Sequence, residues 1–522
     1  MLDFNRTLNY KVMRKINFQI IPIGLIAMCL FLLSSCHDRL DRPAENRTFD
    51  EAIDYSNTAN MISPLIGAYA AFQSRGWEQF PLISVRGDDV NHGGLGDQQD
   101  FAETDYFRYN QGYWMYNSLW QTMYSDIIDG IAAQEQIDLF AEQATGSNLS
   151  AQYKAEIDVL NSYLLFNISR VWGDVFIPET SNPSDLLSAE VVPKAEVMQH
   201  ISDLMDAAIP VLPDMRPNQR TDLPGAVTKY TALAVKALAN LELENYQGVA
   251  DATSQIINSG LFQLYPDYYQ LFKNPGELSN ESLLEFQYSD FGSGTGTQIT
   301  YLMAFFGPQS WDPKVGEING GWGFYEPSLK YIKFMLDRND RERLVTTVLF
   351  TPRGIAEIKK DPAYANLPDW ISNETPSGDV INDYARAMFA SGKHYLPSEQ
   401  ITPGRTAWAN DKNMQVIRYA EILLMHAEAV ARGASSNAIS ADEAVNLVRT
   451  RAGLSPLSNV TIDQILDEKL AELAMEWGIR YYDMIRTENY DELSYDGRNF
   501  TVDKTYLPYP LAQVDILPGL SK

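Results

Sequence analysis

Two cysteines and five histidines in 522 residues leave little material for redox or metal chemistry. Cys29 lies inside an uncharged apolar stretch and Cys36 at its end, so no cysteine pair frames a disulfide or a zinc site downstream. His92 has no second histidine at ligand spacing, which argues against zinc. The chain also lacks a G-x-S-x-G elbow, an HExxH helix and a P-loop. Basic residues are scarce, 41 against 68 acidic, giving a net charge of −27. Such a surface repels phosphate backbones and anionic headgroups, which disfavours nucleic acid and leaves neutral or cationic ligands open. No metal, cofactor or catalytic residue is expected.

What is present begins at the N-terminus. Arg14 and Lys15 precede a stretch from Ile16 to Ser35 without a charged residue, the basic and apolar regions of a secretory signal. A spanning helix needs ~20 apolar residues, and this segment is barely that long and ends in Ser34 and Ser35. "LSSC", Leu33 to Cys36, resembles the lipobox of bacterial lipoproteins. Residues 1–35 are then a removed signal peptide and Cys36 carries the lipid, with two or more acyl chains giving stable anchoring. "MRKINFQIIPIG" places the expected translation start at Met13. Without residues 1–35, 37 basic and 67 acidic side chains remain, a net charge of −30.

The remainder reads as predominantly helical, with long irregular inserts. Ile157, Leu160, Leu164 and Ile168 follow helical spacing until Gly173 and Pro178. Val197, Ile201, Leu204 and Ala208 form one face of a second helix, with Lys194 near its start and Pro213 beyond its end. Val227 to Gly260 spans 34 residues with a break near Asn245, the length of a tetratricopeptide helix pair. The plan recurs from Arg418-Tyr419 to Gly453-Leu454, with small residues at Ala232, Ala234, Ala237, Ala427 and Ala429 for close helix approach. Glu468, Glu472, Glu476 and Arg480 stand four apart and predict one helix carrying an ion-pair ladder. Between the repeats, residues 291–323 contain eight glycines and six aromatics. A long stretch without regular structure is unusual in a compact domain unless it is functional, so this insert is the leading candidate site.

At this point the residues resemble a known family, the SusD/RagB-like outer-membrane lipoproteins. "CHDRLDRPAE", "YLLFNISRVWGDVFIP", "VIRYAEILLMHAEA", "AVNLVRTRAGL", "EWGIRYYDMIR" and "YLPYP" carry the resemblance, in order along the chain. Departures are Asp129-Gly130, where the family often has an Asn, and the segment after Pro510, which lacks the usual Asn- and Gln-rich ending. The resemblance implies a mainly α fold, with tetratricopeptide-like helix pairs plus an irregular, loop-rich ligand-binding lobe. It divides the chain into the signal peptide 1–35, an N-terminal region 36–225 and a C-terminal region 226–522 that includes the Gly/aromatic insert 291–325. It further implies a surface-exposed, lipid-anchored protein of the cell outer membrane. Such a protein captures a glycan, or in some members a peptide, and passes it to a SusC-like TonB-dependent transporter.

Flat rings match the C–H face of a sugar, and carboxylates or amides match its hydroxyls. The family resemblance implies ligand contacts at Asp88, Trp114, Asn117, Tyr301 and Trp322. Asp89, Trp311, Arg86 and Asn91 lie in the same two segments. Trp114 and Trp322 read equally as ligand contacts or as packing residues, whereas Trp120, Trp172 and Trp477 read as core. "GDDVNHGGLGDQQD" is dense in possible calcium ligands but lacks EF-hand spacing, and reads as a solvated, Asp-capped loop. Two further readings remain: a glycoside hydrolase drawing a carboxylate pair from the acidic loops, and a peptide-binding adaptor using the helix-pair grooves.

Overall fold

The computed structural model describes residues 53–73, 83, 85–94, 99–146, 148–294, 302–406 and 410–521. Cys36, the signal segment and Tyr301 lie outside these. Asn57–Lys522 is one compact unit, and the 225/226 boundary falls at a turn within it.

The helices include α1 Ile62–Gln73, α2 Gln99–Asp105, α3 Trp114–Gln143, α4 Ser150–Trp172, α5 Lys194–Ala208, α6 Lys229–Glu242, α7 Tyr246–Asn258, α8 Leu302–Phe306, α9 Leu329–Asp337, α10 Arg341–Thr347, α11 Tyr419–Ala431, α12 Ala441–Arg451, α13 Ile462–Leu473 and α14 Ile479–Arg486. Local chemistry starts and stops them. The Asn245 side chain accepts the Gly248 N–H at 3.2 Å to open α7. Ser440 and Glu443 exchange hydrogen bonds in a capping box that opens α12. Gly260 and Gly453, just beyond α7 and α12, take φ of +64° and +72°, a region open to glycine without strain. Gly173 ends α4 at φ +82°, where a Cβ would lie 3.1 Å from the Tyr506 ring.

Helices α3 to α7 pack each on the next in chain order, and α7 then packs on α11, which packs on α12 and α13. The five small residues of the two repeats are completely buried at these crossings. The stack therefore continues from residue 258 to residue 419 as if the intervening chain were an insertion. Two strands close the neck of that insertion. Strand β2, Ser282–Phe286, pairs antiparallel with β8, Met414–Arg418, and every residue of both is buried. The lobe beyond carries β3 Trp311–Asp312, β4 Tyr325–Pro327, β5 Val348–Phe350, β6 Val380–Ile381 and β7 Phe389–Ser391. Here β3 pairs with β6, β5 with β7, and β4 with β1, Val90–His92, from the N-terminal region. Among the described residues, no helix is long and apolar enough to cross a membrane.

Two sequence expectations change. Residues 462–486 form two helices, not one. The Met475 N–H is taken by the Asp89 carboxylate at 2.8 Å instead of a helical carbonyl, and Met475 and Gly478 adopt positive φ. Glu468, Glu472 and Glu476 consequently make tertiary pairs rather than an i,i+4 ladder. Within the insert, Leu302–Phe306 and Trp311–Asp312 are ordered as α8 and β3, so that part of the expected irregular stretch has regular structure.

Candidate functional site

The two sequence segments singled out for ligand contact meet through rings. Trp114 opens α3 and is 51% exposed. Its ring lies 6.0 Å from Tyr113, edge to face. Tyr113 lies 6.0 Å from Phe101 on α2, and Phe101 lies 6.2 Å from Phe305 on α8 and 5.3 Å from Phe324. Trp322, half-buried, completes the series at 5.2 Å from Phe305 and 5.7 Å from Phe324. Backbone bonds lock this edge: the Trp322 N–H donates to Ala304 O and the Phe324 N–H to Phe305 O. Edge-to-face pairs contribute about 0.5–1.5 kcal/mol each beyond burial, so the series is a rigid row of buried rings, Tyr113, Phe101, Phe305 and Phe324, that seats the exposed Trp114 and the half-buried Trp322 as an aromatic floor accessible at its two ends. Tyr301 immediately precedes α8 in the sequence.

Polar groups edge this floor. Asn117, one turn along α3 from Trp114, donates to Gln121 at 3.0 Å and accepts from Gln513 at 2.7 Å. Asp100, next to Phe101, accepts from Asn110 at 3.0 Å. The Arg386 guanidinium lies 4.3 Å over Phe324 and donates to Trp322 O at 3.2 Å. Neither Asp100 nor Arg386 stood out in the sequence. Asp100 carried a weak signal, the acidic residue beside Phe101 in the first segment, but Arg386 carried none.

Asp88 and Asp89 are elsewhere, and they are not solvated. Both are 2% exposed. Asp88 pairs with Arg480 and Lys330, each at 2.8 Å. Burial pushes its carboxyl up, but these two cations outweigh burial and hold it below the ordinary carboxylate range. Asp89 binds the Met475 N–H, and burial raises it to about 6. The pair fastens the turn between α13 and α14 to the start of α9, where the Ser328 N–H donates to Asp89 O at 2.9 Å. Residues inside such pairs are not presented to a ligand, so the expected contacts at Asp88 and Asp89 are replaced by a structural role. Arg86 is buried against Tyr481 and Tyr482, and Asn91 accepts from Tyr495 and Arg498. Trp311 is 7% exposed, donates to Ile318 O at 3.0 Å and packs edge-on to Tyr395; it is core. Among the described residues no group of three or more metal-ligating side chains gathers, and His92 is hydrogen-bonded to Asp105. Trp120, Trp172 and Trp477 are buried as expected.

Away from the rings, charge is concentrated at the neck. Arg418, 1% exposed, reaches Glu281 at 2.7 Å, Glu472 at 2.9 Å and Glu476 at 2.7 Å. Glu472 also meets Arg451 and Arg343. Burial raises the Glu472 carboxyl, but the surrounding arginines overcome it and bring it down to about 2.

Fold and site together are a stacked helix-pair scaffold holding out a lobe whose buried rings seat two accessible tryptophans. The SusD family model matches residues 280–516, and the fold as a whole is SusD-like. SusD-like protein P38 of Formosa agariphila is 23% identical over 93% of this chain and 94% of its own. Surface glycan-binding protein A from Bacteroides fluxus superposes with a TM-score of 0.71 at 21% identity, covering 88% of this chain and 96% of that one. Surface glycan-binding protein A from Bacteroides thetaiotaomicron, solved in complex with laminarihexaose, gives 0.70 at 23% identity, covering 88% and 98%.

Proposed function

We propose that this chain is a cell-surface lipoprotein of the outer membrane that binds a glycan on the floor between Trp114 and Trp322 and releases it intact to a TonB-dependent transporter. The observation that carries the reading is the ring series. Two tryptophans more than 200 residues apart become the accessible ends of one rigid, otherwise buried ring series, with amide, carboxylate and guanidinium groups beside it. That mixture suits a pyranose, whose C–H face seeks aromatic area while its hydroxyls seek hydrogen bonds. The similarity to surface glycan-binding proteins supports the same ligand class, and laminarin-type oligosaccharides are the first to test. Binding without hydrolysis is favoured because two of the acidic-loop carboxylates, Asp88 and Asp89, are spent on Arg480, Lys330 and a backbone N–H. Anchoring rests on Cys36.

Affinity electrophoresis against a polysaccharide panel, with a reducing-sugar assay alongside, tests the binding reading. Retardation without new reducing ends is expected; new reducing ends would replace the binder with a hydrolase. Peptide binding with no retardation by any glycan would move the ligand class to peptides. Labelled palmitate should enter the wild-type protein in growing cells and be absent from Cys36→Ala.

A further inference from the structure

A second aromatic and polar constellation lies on the far part of the lobe, unrelated to the floor just described. Between α10, β5 and the segment 370–376 there is a cleft of about 300 Å³, at the small end of the roughly 300–1,000 Å³ of small-molecule sites. Trp370 is half-buried, with one side packed on the cluster that contains Phe350 and the rest lining the cleft. Ser372, Asn373, Glu374 and Arg341 converge on the same space. The carboxylate of Glu374 and the guanidinium of Arg341 are both exposed. Neither makes an ion pair or a side-chain hydrogen bond among the described residues.

The wall that carries these groups is stiff. Asn373 exchanges two hydrogen bonds with Ile381 on β6, its Nδ2 donating at 3.0 Å and its carbonyl accepting at 2.8 Å. The Asp379 carboxylate, completely buried, gathers the Lys314 N–H, the Ser398 N–H and hydroxyl, and the Tyr395 hydroxyl. Trp311, whose strand β3 pairs with β6, packs on that tyrosine. A pocket held this way loses little freedom when occupied.

We propose that this cleft is a second sugar subsite taking a single neutral pyranose residue, with Trp370 as platform and Arg341, Asn373 and Glu374 as hydrogen-bond partners of its hydroxyls. Size limits the occupant to about one ring. Charge limits it further, because a uronate or sulfated sugar that gained Arg341 would also meet Glu374. The larger cleft of about 700 Å³ beside α9 and α13 makes no comparable offer, since its buried acid, Asp88, is already paired. Two separated subsites on one lobe would let a polymer engage both, raising affinity for long chains over short ones by effective concentration.

The subsite rests on the glycan reading, and the test separates the two. The full chain is labelled with 5-fluorotryptophan, and its ¹⁹F lines are assigned by single Trp→Phe variants, Trp370→Phe among them. D-glucose and then laminarihexaose are titrated into the wild type and into Trp114→Ala. The Trp370 line should shift saturably with these sugars in both proteins, and Glu374→Gln, at an exposed position, should weaken that shift several-fold. Movement of the Trp114 and Trp322 lines with a static Trp370 line would overturn the subsite and leave the proposed function standing. A Trp370 shift that vanishes in Trp114→Ala would likewise overturn it, as a relay from the first site. If no tryptophan line moves with either sugar, the subsite falls together with the laminarin-type reading.

Discussion

The neck of the insertion and the floor of the lobe use opposite chemistry for one purpose, fixing segments far apart in sequence. At the neck, Arg418 ties Glu281 to Glu472 and Glu476, and Arg451 and Arg343 extend the web into α12 and α10. On the floor, rings from α2, α3, α8 and residues 322–324 meet edge to face, with charge only at the margin. Directional ion pairs are demanding about geometry and cannot be shared with a ligand once buried. Packed rings need no partner at their far edge, so Trp114 and Trp322 at the ends of the series keep a face toward solvent. The contrast explains why the acids nearest in sequence to the expected site turned out to be structural, whereas the tryptophan at its edge remained exposed.

Removing one partner of a buried network leaves the buried opposite charges under-compensated, which costs about 3–5 kcal/mol. Arg418→Ala removes the cation shared by three buried carboxylates and leaves Arg451, Arg343 and Lys393 to face them, and should therefore lower stability by about that much in denaturant unfolding. An unchanged midpoint would reduce the neck web to ornament. Next comes Glu326 on β4, buried and accepting the Met388 and Phe389 N–H groups at 2.7 and 2.9 Å. Burial raises its carboxyl to about 7, above the ordinary 4.5 of the unfolded chain. The native state thus holds the extra proton between these values. Its contribution is complete below pH 4.5 and is lost as pH rises through 7. Compared with Glu326→Gln, the wild type should gain about 3 kcal/mol on going from pH 8 to pH 4.5, measured as the difference in unfolding free energy across pH. A flat difference would contradict that environment.

The floor should respond in binding instead of folding. Trp114→Ala should weaken the bound glycan by about 2 kcal/mol, roughly 30-fold in Kd, in calorimetric titration, with little change in the unfolding midpoint because the side chain is half exposed. A loss of stability with intact affinity would turn Trp114 into a packing residue. The smallest effect belongs to an exposed pair. Lys154→Ala, which deletes the contact with Asp138 at 2.7 Å, should change stability by about 0.5 kcal/mol or less. The chemistry matches that of the neck and only burial differs.

Much of the frame was legible. Helices α4 to α7, α11 and α12 follow from apolar spacing and caps, and the repeat of small residues marks their close crossings, because these signals act within a few residues. The split between α13 and α14 was not legible, since its cause is the carboxylate of Asp89, nearly 400 residues away. For the site, Trp114 and Trp322 were recognisable as rings in unusual segments, but their common surface depends on Phe101, Phe305 and Phe324 filling the space between. Asp88 and Asp89 misled because an acidic pair beside glycines has the same appearance whether it faces water or an arginine.

By itself, then, the sequence determined the helices, their repeat, the acidic surface and the expected lipid signal, all of them properties of neighbouring residues or of bulk composition. Tertiary structure alone decided which charges were consumed by partners and which rings kept a face toward solvent. Those outcomes depend on what a fold places within a few ångströms across hundreds of residues, a distance that no local pattern records.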